Sequence, residues 1–183
     1  MKTRAIWVSG ILLTLAGSNA FACDNGSLNG SYAFKSQGTS VGVLDSAGVL
    51  HPFASPQLIN AVGEFTFDGN GSLTRVDYVM SNGVPNVGAS PITDGGFFGG
   101  RTGTYSIAED CTGMMTVDVP GGTTLFYAFA LIDYGRAAYG VVKGQHLPGL
   151  PAAVVPAGAS CSSGCDIGVN VATDWVQNTN HRR

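Results

Sequence analysis

Apolar and polar residues alternate along much of the chain, and this period of two predicts β-strands. The clearest case is residues 58–80, in which two β-rich runs flank the turn Asp68-Gly69-Asn70-Gly71. A glycine-rich turn between alternating runs is typical of an antiparallel hairpin. Other alternating or apolar runs predict further strands over residues 31–41, 101–108, 114–119, 123–132, 136–143 and 166–176.

The register of this hairpin decides which residues face the interior. A four-residue turn places Phe67 opposite Ser72, and therefore Phe65 opposite Thr74 and Glu64 opposite Arg75. One face is then apolar and predicted to cover a core; it comprises Phe65, Phe67, Thr74, Val76 and Tyr78. The other face is predicted to lie in solvent; it comprises Glu64, Thr66, Leu73, Arg75 and Asp77. On that face Glu64 and Arg75 are expected to form an exposed ion pair worth at most about 1 kcal/mol.

Glycine and proline interrupt the pattern in two long stretches, residues 42–57 and 81–100, which we predict to be loops. The second stretch holds Phe97 and Phe98 between two pairs of glycines. These rings are expected to plug an end of the fold, or alternatively to cover a cavity or contact a partner. Residues 123–132 are nearly all apolar, so this strand is predicted to be the most buried.

The strands together predict an all-β fold, a single antiparallel up-and-down barrel of about eight strands. Closure into a barrel removes exposed strand edges, and a β-sandwich of the same strands is the alternative. The predicted organisation is a signal peptide over 1–22, a barrel domain over 23–146, a Pro/Ala/Gly-rich linker or loop over 147–164, a possible last strand over 165–176 and a polar tail over 177–183.

The first 22 residues have the features of a secretory signal peptide. Lys2 and Arg4 precede an apolar run, and Ala20-Phe21-Ala22 has the small-x-small form of a cleavage site. The sequence therefore predicts a secreted or periplasmic protein of 183 − 22 = 161 residues. A lipid anchor at Cys23 is the alternative, which the bulky Phe21 disfavours.

The charge and hydropathy of the chain limit the kinds of partner that we expect. The chain has 9 Lys and Arg and 12 Asp and Glu, so without Lys2 and Arg4 the net charge is 7 − 12 = −5. No basic patch is evident, which argues against nucleic acid as a partner. No second apolar run is long enough for a membrane span.

Four cysteines, Cys23, Cys111, Cys161 and Cys165, follow the signal peptide, and an even number in an exported chain indicates disulfides. Three connectivities are possible. We favour a small Cys161–Cys165 loop with Cys23–Cys111 as the second bridge, which the chain-entropy model values at roughly 3–4 kcal/mol. A four-cysteine zinc site is the alternative, disfavoured because the paired C-x-x-C spacing is missing. No metal or cofactor is predicted.

Catalytic motifs are not evident. The sequence has no G-x-S-x-G, and His51, His146 and His181 are predicted to lie in loops or in the tail. Most carboxylates fall in predicted turns, where aspartate has a local hydrogen-bonding role.

Three sequence segments resemble segments of a group of uncharacterised exported bacterial proteins with an allene oxide cyclase-like barrel domain. They are L-N-G-S-Y-A-F (28–34), G-E-F-T-F-D-G-N-G-S-L-T (63–74) and T-G-T-Y-S-I-A-E-D-C-T-G-M-M-T-V (102–117). The resemblance, which covers residues 28–143, implies a lipocalin-like eight-stranded barrel and the Cys23–Cys111 pairing. It carries over no catalytic residue.

Three functions fit this sequence. The first is binding of a small hydrophobic molecule inside the barrel, with an aromatic wall of Tyr32, Phe34, Phe65, Phe67, Tyr78, Tyr127, Phe129 and Tyr139. The second is a structural or surface-interaction protein with a filled core. The third is a cyclase- or isomerase-like enzyme that encloses its substrate. An interior void of several hundred Å³ favours the first and third, and a filled core the second.

Overall fold

A computed structural model describes residues 22–86 and 88–179. Residues 1–21 of the predicted signal peptide and residues 180–183 of the predicted tail lie outside this part. The strands are β1 (Asn29–Leu44), β2 (Leu50–Asp68), β3 (Ser72–Ser81), β4 (Val84–Pro85), β5 (Phe98–Ile107), β6 (Thr112–Val119), β7 (Thr123–Ile132), β8 (Ala137–Leu147) and β9 (Cys165–Gln177). The described helices are one-turn 3-10 segments, and none is long and apolar enough to cross a membrane.

Eight strands form a closed antiparallel barrel in the order β1-β2-β3-β5-β6-β7-β8-β9, and β9 pairs with β1 to close it. The short strand β4 pairs with the end of β3. The predicted up-and-down barrel is therefore confirmed, and the sandwich alternative is wrong. Strand β9, which the sequence marks as a possible last strand, pairs with both β8 and β1.

The predicted loop over residues 42–57 is wrong, because β1 and β2 continue through most of it as a long hairpin. The Asp45 carboxylate accepts hydrogen bonds from the amides of Ala47 and Val49 and so stabilises a turn at 45–49. The pairing of β1 with β2 shifts between Ser40 and Gly42, next to Pro52. Such a bulge tolerates a residue without an amide hydrogen, which explains how proline fits within β2.

The predicted loop over 81–100 is also partly wrong, since it contains β4 and the first residues of β5. Phe98 is buried and stacks on Tyr78, with the ring centroids 5.1 Å apart. Phe97 contacts the same tyrosine edge-on. The two rings therefore cover Tyr78 on the outside of β3, rather than plugging an end of the barrel.

One half of the interior is a filled aromatic core. Trp175 lies at its centre, 4.9 Å from Phe129 and 5.1 Å from Phe65 between ring centroids. Strand β7, predicted to be the most buried, has two exposed residues out of ten, and its residues alternate between the two faces of the sheet. Tyr127, Phe129 and Leu131 are buried whereas Ala130 and Ile132 are exposed, as the two faces of any barrel strand require.

The chain is fastened at both ends of the barrel by disulfides. Cys23–Cys111 lies at the end that holds the aromatic core, which we call the closed end. Cys161–Cys165 lies at the opposite, open end, where Leu150 and Val155 of the segment 148–164 pack against Val43 and Ile167. The favoured connectivity is confirmed and the zinc alternative is wrong. A lipid on Cys23 would require the sulfur atom that this disulfide uses.

We expect stability to fall in alkaline solution because three tyrosines, Tyr32, Tyr105 and Tyr127, are buried. Burial raises the pKa of Tyr32, whose hydroxyl donates to the Gly135 carbonyl at 2.7 Å, and burial also raises the pKa of Tyr105 and of Tyr127. A group whose pKa is raised on folding stabilises the fold fully below its unfolded pKa, about 10 for tyrosine. This contribution is lost as the pH rises through the folded value.

Urea unfolding at a series of pH values, with tyrosinate absorbance recorded in parallel, tests this expectation. The free energy of unfolding should be level just below pH ~10 and decline above it. An unchanged free energy while all six tyrosines ionise would contradict it.

Candidate functional site

The β2–β3 hairpin differs from its predicted register by one residue. Phe67 pairs with Leu73 and Phe65 with Arg75, so the turn has three residues rather than four. The Asp68 carboxylate accepts the amide hydrogens of Asn70 and Ser72, while Gly69 and Gly71 adopt positive φ. These interactions favour the shorter turn.

A one-residue shift turns every side chain of β3 to the opposite face of the sheet. Leu73, Arg75 and Asp77 therefore point into the barrel and are buried. Thr74 and Val76 are exposed, and Tyr78 lies with them on the outer face. The predicted Glu64–Arg75 ion pair is wrong, since Glu64 pairs with Val76.

The inward side chains of β3 form a buried polar cluster with β5 and β7. Asp77 Oδ2 accepts hydrogen bonds from the guanidinium groups of both Arg75 and Arg101. Arg75 also donates to the Tyr127 hydroxyl, and Arg101 Nη2 lies 3.5 Å from the Ser90 Oγ. The guanidinium carbon of Arg75 is 4.6 Å from the ring centroid of Phe34. The cluster thus sits where the aromatic core ends.

The cluster has an excess of one positive charge, because two guanidinium groups share one carboxylate. Arg75 is 3% exposed, Arg101 4% and Asp77 0%. Burial lowers the pKa of Arg101, and the positive charge of Arg75 lowers it further, although Asp77 acts in the opposite direction. Three buried atoms have no hydrogen-bond partner within the described residues: Arg75 Nε, Arg101 Nε and Asp77 Oδ1.

A cavity of about 350 Å³ lies between this cluster and the open end. Arg75, Arg101 and Tyr127 line its floor, whereas Asp77 lies behind them and does not. The remaining walls are largely apolar and include Ile59, Val79, Leu125, Val142, Leu147, Leu150, Val169 and Val171. Further polar groups come from Ser36, Ser40, Gln57, Ser81, Asn86, Thr123 and Gln145.

The eight aromatic residues predicted to form a ligand-binding wall divide into three groups. Tyr127 lines the cavity. Five are buried but belong to the filled core at the closed end, namely Tyr32, Phe34, Phe65, Phe67 and Phe129. The interior placement of the other two is wrong, because Tyr78 lies on the outer face and Tyr139 is 61% exposed.

Sequence reasoning missed Arg75, Asp77 and Arg101 as functional residues. The sequence did contain an indication of burial. In the alternating strand β5, Arg101 falls on the same face as Tyr105 and Ile107. Arg75 and Asp77 likewise share parity with Leu73 and Val79. Charged residues in phase with apolar ones indicate a buried polar site.

Neither a family model, nor a curated protein, nor a solved structure matches the chain. The resemblance to allene oxide cyclase-like proteins stays a prediction. Within the described ranges, no cluster of His, Cys, Asp and Glu side chains could hold a metal ion. The cavity and its cluster are therefore the basis for any functional argument.

Gly63 leaves space for the cluster, because it pairs with Asp77 and faces the interior. A Cβ at this position would lie 2.2 Å from the Val76 carbonyl oxygen and 2.7 Å from the Asp77 Cβ. We expect Gly63→Ala to lower the free energy of unfolding by about 1–3 kcal/mol. Gly144→Ala is a matched control, since its Cβ would be 3.7 Å from the nearest atom, a carbon of Phe126. Similar urea midpoints for the two variants would contradict this account.

Proposed function

We propose that this protein is an exported barrel that binds a small, mainly apolar molecule in its open half. The observation that carries the proposal is the cavity of about 350 Å³ above a filled core. Ligand pockets in proteins range from roughly 300 to 1,000 Å³ and combine apolar walls with a few polar groups. This cavity is at the lower end of that range and has the same composition.

The other two functions have less support. A structural protein needs no void, yet only the closed half of the interior is filled. An enzyme of the cyclase or isomerase type would be favoured by an unpaired carboxylate beside the cavity. Asp77 is buried but accepts hydrogen bonds from two guanidinium groups, and it does not line the cavity.

A secreted or periplasmic location forms part of the proposal. Two disulfides are typical of proteins in oxidising compartments. The predicted signal peptide supports the same location.

Two neighbouring valines allow a matched test of the cavity. Val142 is buried and lines the cavity, whereas Val141 is 48% exposed on the outer face of the same strand. We expect Val142→Phe to fill part of the cavity and weaken binding of octanol, used as a neutral apolar probe. Val141→Phe should leave this binding unchanged.

Calorimetric titration of the wild-type protein and both variants measures the effect. A retained small molecule in native mass spectra of protein from its own host would support the proposal further. Equal binding of octanol by both variants would contradict the proposal, as would failure of the wild-type protein to bind both octanol and its carboxylate analogue octanoate.

A further inference from the structure

The cavity floor has a positive charge that its neighbours do not balance. Arg75 and Arg101 both line the cavity, and no aspartate or glutamate is among the described residues that line it. Among the residues that the structure describes, Asp77 has the one buried carboxylate; it lies behind the two arginines and contacts both through a single oxygen. A net charge of +1 therefore borders the cavity, in a chain whose overall formal charge is −3.

Arg75, Arg101 and Tyr127 have more hydrogen-bond donors than they have acceptors among the described residues. The Nε atoms of Arg75 and Arg101 are buried and have no acceptor among the residues described. The Tyr127 hydroxyl accepts a hydrogen bond from Arg75, so its own proton is available to another acceptor. Buried polar groups in native proteins are almost always satisfied by protein, water or ligand. An acceptor that enters the cavity would meet the Tyr127 hydroxyl and the guanidinium groups of Arg75 and Arg101, which line it.

The aliphatic walls of the cavity indicate what kind of body the ligand should have. Between the floor and the mouth the cavity is bordered mainly by aliphatic side chains, including Ile59, Val79, Leu125 and Val169. A molecule with an apolar body and an anionic head matches both regions when the head points inward. A single negative charge brings the cluster to neutrality, whereas a second one would leave a net negative charge in a buried site.

We propose that the cavity binds an organic monoanion with an apolar body, and that Arg75, Arg101 and Tyr127 hold its head. This inference rests on the proposed function and specifies the chemical class of the ligand. Guanidinium groups suit such a head because they form charge-assisted, often paired hydrogen bonds with carboxylates.

Three probes with the same chain length but different head groups show how much the head group contributes to affinity. Octanoate, octanol and octylamine are titrated into the wild-type protein near neutral pH by calorimetry. Hydrogen bonds to charged groups predict that octanoate binds about 10- to 100-fold more tightly than octanol. Octylamine should bind most weakly. Acetate tests whether the charge alone suffices, and it should bind much more weakly than octanoate.

The variant Arg101→Met removes the excess charge and leaves Arg75 paired with Asp77. It should abolish the preference for octanoate over octanol while retaining octanol binding. Arg136→Met is the control, because Arg136 is 60% exposed and pairs with Asp133 on the surface. Arg101→Lys, which retains the charge, should retain a preference for octanoate.

The outcomes distinguish this inference from the function on which it rests. Equal affinities for octanoate and octanol in the wild-type protein would overturn the inference and leave the proposed function standing. A preference that persists unchanged in Arg101→Met would also overturn it. Binding of none of the three probes would overturn both. If Arg101→Met does not fold, the wild-type comparison and Arg101→Lys still decide the question.

Discussion

Replacing Asp77 by asparagine should lower the free energy of unfolding by about 3–5 kcal/mol, the usual cost of removing one partner of a buried ion pair. Asp77 is fully buried and its carboxylate contacts both Arg75 and Arg101. The variant leaves two positive charges close together in the interior without a counter-ion. Urea unfolding of the purified variant measures the loss.

A surface ion pair provides the control for this variant. Asp174 lies 3.1 Å from Lys35, and both side chains are well exposed. Asp174→Asn should therefore change stability by no more than about 1 kcal/mol. Adding Arg101→Met to Asp77→Asn should restore part of the loss, because one of the two unbalanced charges is removed. Equal losses in Asp77→Asn and Asp174→Asn would contradict a buried charge cluster.

Loss of the Cys23–Cys111 disulfide should have a similarly large effect, about 4.5 kcal/mol in the chain-entropy model for a loop of this length. This bridge joins residues 88 positions apart, so it restricts the unfolded chain strongly. The double variant Cys23→Ala, Cys111→Ala leaves both sites without a thiol. Its urea midpoint under non-reducing conditions gives the loss.

The second disulfide serves as a comparison, since Cys161 and Cys165 are separated by 4 positions. In the chain-entropy model so short a loop contributes about 2 kcal/mol. The double alanine variant at these positions should therefore lose less stability than the Cys23, Cys111 variant. The reverse order would show that packing of the open end, rather than loop length, dominates.

Local sequence patterns predicted most of the fold, but they did not predict which residues of β3 face the barrel interior. Alternation placed seven of the eight barrel strands without long-range information, and the sequence also suggested the eighth, but it did not predict that β1 and β2 continue through residues 42–57. The register of β3 depended on a choice between a three- and a four-residue turn, and the Asp68 hydrogen bonds decide it. Apolar Val76 and Tyr78 favoured the wrong face, because Tyr78 is covered from outside by Phe97 and Phe98.

The candidate site was missed for the same physical reason. An arginine in a strand indicates a solvent-exposed face unless a buried carboxylate accompanies it. Asp77 provides this carboxylate. It pairs with Arg75, which lies on the same strand, and with Arg101, which lies on β5. Only the pairing of β3 with β5, which places Arg75 beside Arg101, brings the three groups together. Such a juxtaposition depends on tertiary structure and cannot be obtained from the period of either strand.

The pairing of β1 with β9 has a practical consequence for how the barrel can be handled. Tyr32, near the start of β1, pairs with Gln177, the last residue of β9. Both strands therefore meet the flanking chain at the closed end, away from the mouth. A fluorophore, a bead or a sensor surface attached through either flank would leave the mouth of the cavity unobstructed. A short peptide joining the two flanks should likewise permit circular permutants opened at a distant hairpin.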